Sequence, residues 1–163
     1  LDAIVGTLRL RWDRLPESLR AAITAARSLD DLLAGQHVAV IDDDIRNIFS
    51  MTALLEDHGI EVVSAESGKA GLELLEAEPD VAAVLVDIMM PDMDGYEVMR
   101  RIRADERFRD LPVIAVTAKA MSEDRERCFN AGASDYLSKP VEKEELIAVL
   151  RTWMKRRRPR NGG

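Results

Sequence analysis

The stretch AAVLVDIMMPDMDG, residues 82–95, sets an apolar run against an abrupt change of chemistry. Residues 82–86 are only alanine, valine and leucine, the composition of a strand buried on both faces. Asp87 ends the run, and Pro91 and Gly95 follow in what reads as a loop. A carboxylate at that junction stands at the carboxyl edge of a sheet, if a sheet is there to receive it.

The surrounding sequence supplies the sheet. HVAVID (37–42), IEVVSA (60–65), PVIAVT (112–117) and SDYLS (134–138) read as four further strands. Between and after them lie five helical patterns: 44–58 ending at Gly59, 68–77 before Pro79, 96–106 before Pro112, 121–131 at Gly132, and 142–155. Five strands alternating with five helices imply a parallel sheet covered on both faces, because each right-handed crossover lays a helix on the sheet. The chain therefore reads as a doubly wound α/β domain over residues 37–154. Such folds bind ligands outside the carboxyl ends of their strands.

Those ends carry chemistry. Strand one ends in Asp42 and Asp43, strand three in Asp87, strand four in Thr117, and strand five runs into Lys139 and Pro140. Each has an ordinary reading on its own, as a helix cap, a turn or a surface lysine. Together they converge on one edge, and clustered carboxylates are costly without a cation or a proton to offset them.

AVIDDD, LVDIMMPDMDG, VIAVTA and SDYLSKP, in that order, resemble the signature of the receiver domain of two-component signalling, the CheY-like domain of response regulators. The resemblance spans residues 37–154. It implies a flavodoxin-like (βα)5 sheet of order 2-1-3-4-5, here with an extra N-terminal helix. It also implies that Asp87 accepts a phosphoryl group from a phosphohistidine and that Asp42, Asp43, Asp87 and the Met89 backbone carbonyl hold Mg2+, with Mn2+ as a substitute. Thr117 and Lys139 match the residues that contact the phosphoryl oxygens. Thr117 and Tyr136 match the pair that changes position on activation, and the Lys139–Pro140 bond is usually cis in the family. The implied partner is a histidine kinase or a histidine phosphotransfer domain, and the implied compartment is the cytoplasm. DDDIRNIFSMTALLEDHGIEV and TAKAMSEDRERCFNAGASDYLSKPV are most similar to receivers joined to hybrid sensor histidine kinases, with a stand-alone regulator as the alternative.

The chemistry is coherent in its own terms. A carboxylate is a weak nucleophile toward a donor whose oxygens are negative, so a hard divalent cation has to stand between them. Phosphoryl transfer passes through a loose transition state that calls for charge stabilisation and in-line placement more than for a base. Competing readings lack their residues. An aspartyl-phosphate phosphatase resembles a motif with a second aspartate two residues on, where this chain has Met89, and a dinucleotide site needs glycines that DDDIRN lacks. A receiver-like binding module that works without phosphorylation would tolerate losses at the site, yet all five matched side chains are present.

Charge and the flanking segments complete the expectations. The chain carries −7 overall but +5 on residues 155–163, and residues 1–36 balance, so residues 37–154 hold −12. An acidic body suits metal cations and repels nucleic acid, and the basic end reads as a solvated helix end and tail. One cysteine, Cys128, excludes an internal disulfide, and no apolar run is long enough to span a bilayer, so no membrane contact is expected of this chain. Residues 15–35 read as an amphipathic helix that Gly35 stops, within a linker segment over residues 1–36. The chain begins at Leu1 and reads as a piece of something longer.

The first helix of the domain shows two apolar stripes: Ile45, Ile48, Phe49 and Thr52, and Met51, Leu54 and Leu55. Glu56 falls near the first, so the second is expected to face the sheet. That would leave Ile45, Ile48 and Phe49 exposed beside the acidic edge as a docking patch for the phosphodonor.

Overall fold

The computed structural model describes residues 14–23, 33–118 and 121–156. Its order is β1 (His37–Ile41), α1 (Ile45–Glu56), β2 (Glu61–Ala65), α2 (Gly68–Ala77), β3 (Val81–Asp87), α3 (Gly95–Ala104), a 3-10 turn (Glu106–Phe108), β4 (Val113–Thr117), α4 (Ser122–Ala131), β5 (Asp135–Ser138) and α5 (Lys143–Arg156). The strands form one parallel sheet of order β2-β1-β3-β4-β5, the flavodoxin-like arrangement. All seven residues of the central β3 are buried. This is why residues 82–86 need no polar alternation: helices cover both faces.

Strand parity divides the core. Val38, Val40, Leu85, Ile114, Val116 and Leu137 point to one face, where α1 and α5 pack. Ala39, Ile41, Val84, Val86, Val113 and Ala115 point to the other, against α2, α3 and α4. Successive strand residues alternate sides, so each β-strand feeds both cores at once.

The helix boundaries follow local chemistry. Asp44 caps α1, its Oδ1 accepting from Arg46 N at 2.9 Å. Ser67 caps α2 by accepting from Ala70 N at 3.1 Å. The third helix was expected to run to residue 106 but ends at Ala104, because the Asp105 carboxylate accepts from Arg107 N at 3.0 Å and starts the 3-10 turn.

One expectation about α1 is overturned. Ile48 is not part of an exposed stripe; it is 7% exposed and belongs to the core with Met51 and Leu55. At about 100° per residue, Ile48 lies about 20° from Leu55 and about 60° from Met51, so the three form one row. Ile45 and Phe49 fall outside that row and are 51% and 67% exposed.

Of the expected N-terminal helix, residues 17–23 are helical; residues 24–32 and the basic tail from residue 157 lie outside the described residues. Gly35 takes a φ of +80° that a glycine adopts without strain. Leu33, on the linker side of the expected boundary at residue 36, is fully buried in the α1/α5 core. The hydrophobic core therefore begins before His37.

A side chain that sequence pattern does not single out closes the opposite edge of the sheet. Arg103 of α3 donates to the carbonyls of Gly132 (2.8 Å), Phe108 (3.0 Å), Arg109 (3.1 Å) and Leu111 (2.8 Å), and to Ser134 Oγ (3.1 Å). Gly132 takes a φ of +112° at the end of α4, and a Cβ there would collide with the Arg103 side chain. Arg103→Ala leaves several half-buried carbonyls without their donor, and the expected loss is about 2–4 kcal/mol in urea unfolding. A loss below about 0.5 kcal/mol would show that water replaces the guanidinium freely.

Candidate functional site

Among the described residues, the buried polar or charged ones are Asp42, Asp87 and Thr117. All three stand at the carboxyl edge of the sheet, at the ends of β1, β3 and β4. Asp42 Oδ1 accepts from Asp44 N at 2.8 Å, which turns the chain sharply into α1. Asp87 Oδ1 accepts from Met89 N at 3.2 Å. Asp43 is exposed, yet its carboxylate joins the other two: Asp42, Asp43 and Asp87 each place an oxygen within 4.8 Å of the others.

Lys139 reaches this group from beyond β5. Its Nζ lies 3.4 Å from Asp42 Oδ2 and 3.4 Å from Asp87 Oδ1. The backbone sets this reach, because Lys139 N donates to Thr117 O at 2.8 Å and continues the β4–β5 ladder one step beyond the Thr117–Ser138 pair. The Lys139–Pro140 peptide is cis, as expected.

The loop after Asp87 is shaped by the residues that attracted notice in the sequence. Asp92 adopts a φ of +65°, and Met93 N donates to Pro91 O at 2.8 Å. Asp94 then caps α3 through Glu97 N at 2.9 Å. Gly95 N donates to Ile88 O at 3.1 Å, and a Cβ on Gly95 would come within 2.5 Å of the Asp87 carbonyl oxygen. Glycine is required there by closeness, and the result is a loop folded tightly beside the carboxylate.

Burial pushes the Asp87 carboxyl above its usual range, the neighbouring Asp42 charge adds to the rise, and Lys139 opposes it. Three carboxylates against one ammonium leave an excess of negative charge. Their oxygens are the donors that a hard divalent cation prefers, so the group fits Mg2+.

Tyr136 and the Met89 side chain border this group. Tyr136 on β5 is partly buried, with the Arg125 guanidinium 4.6 Å from its ring centroid and Phe129 edge-on at 6.4 Å. Met89 is 57% exposed over the loop. A cleft of about 530 Å³ opens next to Lys139, lined in part by Asn47, Ser50, Met51, Leu54 and Pro140. The sequence reading overlooked Arg125 and Phe129; their spacing of four on α4, which puts both on one helical face, was the available signal.

Residues 38–151 match the family model of the response regulator receiver domain. The chain belongs to that family. This receiver is 39% identical over 114 residues to PilH of Pseudomonas aeruginosa, a match that takes in 69% of this chain and 93% of that protein. It is 38% identical over 119 residues to the sensor protein GacS of Pseudomonas syringae, covering 71% of this chain but 13% of GacS. Among solved structures it resembles the receiver domain of the sensor histidine kinase PA1611 of Pseudomonas aeruginosa, at 35% identity and a TM-score of 0.66, over 75% of this chain and 99% of that one. That neighbour holds a magnesium ion in its active site cleft. Two-component signalling is thus the setting of this receiver, and its relatives include both a two-component response regulator and a hybrid signal transduction histidine kinase. Among its described residues, no helix is long and apolar enough to cross a membrane.

The raised pKa of Asp87 has a consequence for stability. Folding favours the protonated form, so the contribution is complete below the ordinary carboxylate range and is lost as pH rises through the raised value. At pH 7 without divalent cations the ionised Asp87 therefore weakens the fold. Asp87→Asn is expected to raise Tm at pH 7 by about 2–6 °C, about 1 kcal/mol, with the difference shrinking toward pH 3. A lower Tm for the variant at pH 7 would mean that attraction to Lys139 outweighs burial and Asp42.

Proposed function

We propose that Asp87 accepts a phosphoryl group from a phosphohistidine and that this receiver relays the signal by a change of conformation at Thr117 and Tyr136. The observation that carries the reading is the Lys139 ammonium, 3.4 Å from both Asp42 and Asp87, at an edge where buried carboxylates gather. In the transfer, an Asp87 oxygen forms a bond to phosphorus as the phosphorus–nitrogen bond to the imidazole breaks, and that bond's electron pair returns to the ring. Lys139 offsets the negative oxygens of the group in flight, and the Thr117 hydroxyl donates to one of them afterwards. Asp42 and Asp43, with Asp87 and the Met89 carbonyl, would hold Mg2+, or Mn2+ in its place; the ion would neutralise the approach of donor to acceptor.

The output follows from the added charge. A phosphoryl group on Asp87 gives Thr117 a strong acceptor, so the loop after β4 is drawn toward it and Tyr136 moves into the space left. Similarity to GacS and to the PA1611 receiver supports a place in a hybrid sensor histidine kinase; the cytoplasm is the compartment this reading proposes. The 93% coverage of PilH supports a stand-alone regulator as the second reading.

Ile45 and Phe49 remain the docking residues for the histidine kinase or phosphotransfer domain, because both are exposed on α1 just after the acidic pair. An exposed apolar pair next to the acidic edge is the kind of surface that a docking partner covers.

Two experiments test this reading. Acetyl phosphate with Mg2+ is expected to label the wild-type chain and to leave Asp87→Asn at background; labelling of the variant would move the acceptor elsewhere. Phe49→Ala is expected to slow transfer from the cognate histidine by about tenfold, near 1.4 kcal/mol, while the acetyl phosphate rate holds. Equal loss with both donors would point to a folding defect, and no loss with either would remove the patch.

A further inference from the structure

We propose that Arg125 and Phe129 of α4 form a clamp that sets the position of Tyr136 and so opposes switching of the receiver. The inference rests on the reading of Thr117 and Tyr136 given above and adds the residues that regulate it.

Register places the parts. Ala115 of β4 pairs with Tyr136 of β5, and Thr117 pairs with Ser138. Tyr136 and Thr117 are therefore on the same face of neighbouring strands, one diagonal step apart. Tyr136 packs against the core cluster that includes Ala115 and Cys128 and that α4 covers.

Against the ring stand Arg125 and Phe129, one helical turn apart. The guanidinium lies 4.6 Å from the Tyr136 centroid, and the Phe129 ring meets Tyr136 at 82°. Both geometries are attractive, one between a cation and the ring face and one between ring edge and ring face. Phe129 is 45% exposed, so its burial is a weak reason for its presence, whereas its contact with Tyr136 is specific.

The helix that carries the clamp is itself anchored elsewhere. Arg127 lies 4.4 Å from the centroid of Tyr96, a buried residue of α3. Alternate arginines of α4 thus grip two tyrosines, one in a neighbouring helix and one in the edge strand. The first contact ties α4 to the body of the domain. The second ties Tyr136 to α4.

Movement of Tyr136 toward Thr117 has to break the contacts with Arg125 and Phe129. A contact made in only one of two conformations opposes whatever favours the other, by the same factor in both directions. Removing the clamp should then make the receiver respond at lower concentrations of a phosphoryl mimic.

The test is a beryllofluoride titration in excess Mg2+, read by the resonances of the Thr117 amide and the Tyr136 ring. Arg125→Ala is expected to lower the half-saturating beryllofluoride concentration by about 3–10-fold, and Phe129→Ala by about 2–5-fold. Arg125→Lys, which keeps the cation but loses the planar group, should fall between Arg125→Ala and wild type. Arg127→Ala is the structural control, expected to lower Tm without shifting the half-saturation. In a Tyr136→Ala background, Arg125→Ala should add no further shift. The clamp is overturned if Arg125→Ala changes half-saturation by less than about 1.5-fold, below the weakest such contact. An equal shift in Arg127→Ala, or a shift that persists without Tyr136, overturns it as well. Should wild type show no response to beryllofluoride, the phosphoacceptor reading fails, and the clamp is then judged on the Tyr136 ring resonances alone. They should move in both Arg125→Ala and Phe129→Ala, and unchanged signals overturn the clamp.

Discussion

Asp42, Asp43 and Asp87 bring three like charges to one edge of a sheet whose interior is nearly all aliphatic, and much of the molecule can be understood as the means of holding them there. Two of them are buried, so their repulsion is screened poorly by water. Lys139 offsets part of it, but only because β5 continues its pairing with β4 one residue further and delivers the ammonium between Asp42 and Asp87. The Met89 and Asp44 amides satisfy one oxygen on each buried carboxylate. What remains is a deficit of positive charge, which suits the edge to a divalent cation.

The same edge explains how far the sequence could be read. The fold was legible because β3 and β4 are short aliphatic runs separated by helices with clear stops, such as Gly59 and Gly132. The carboxylates were legible because strand ends are fixed points in a parallel sheet: a residue that terminates an apolar run has only one edge to occupy. Hence Asp42, Asp87, Thr117 and Lys139 could be placed together before any distance was known. Residues that act from the middle of a helix had no such marker.

Ile48 and Arg103 show the two ways that reading fell short. For Ile48 the periodicity was sufficient, but the position of Glu56 was allowed to outweigh it; Glu56 is exposed, so the row of Ile48, Met51 and Leu55 was free to face the sheet. For Arg103 no periodicity would have served. It lies among Arg100 and Arg101, which pair with Glu97 on the surface, and only tertiary structure shows that its guanidinium reaches carbonyls from two other segments. Leu33 belongs with Arg103, since a leucine before the first strand gives no sign that the core reaches back to it.

Arg103 also fixes one end of α4. It fixes the carbonyl of Gly132 at the C-terminal end of that helix and Ser134 at the start of β5, while the N-terminal end at Met121 has no side-chain cap. The polar anchoring of α4 is thus concentrated at the far edge of the sheet, with Arg127 against Tyr96 as a second hold along its length. At 1.5 Å per residue the ten residues of α4 reach about 15 Å from Gly132, so a rotation of about 5° about that end would carry Ser122 through about 1.3 Å. Were the receiver to switch as proposed, motion of α4 would be largest at its uncapped end and smallest where the guanidinium holds it.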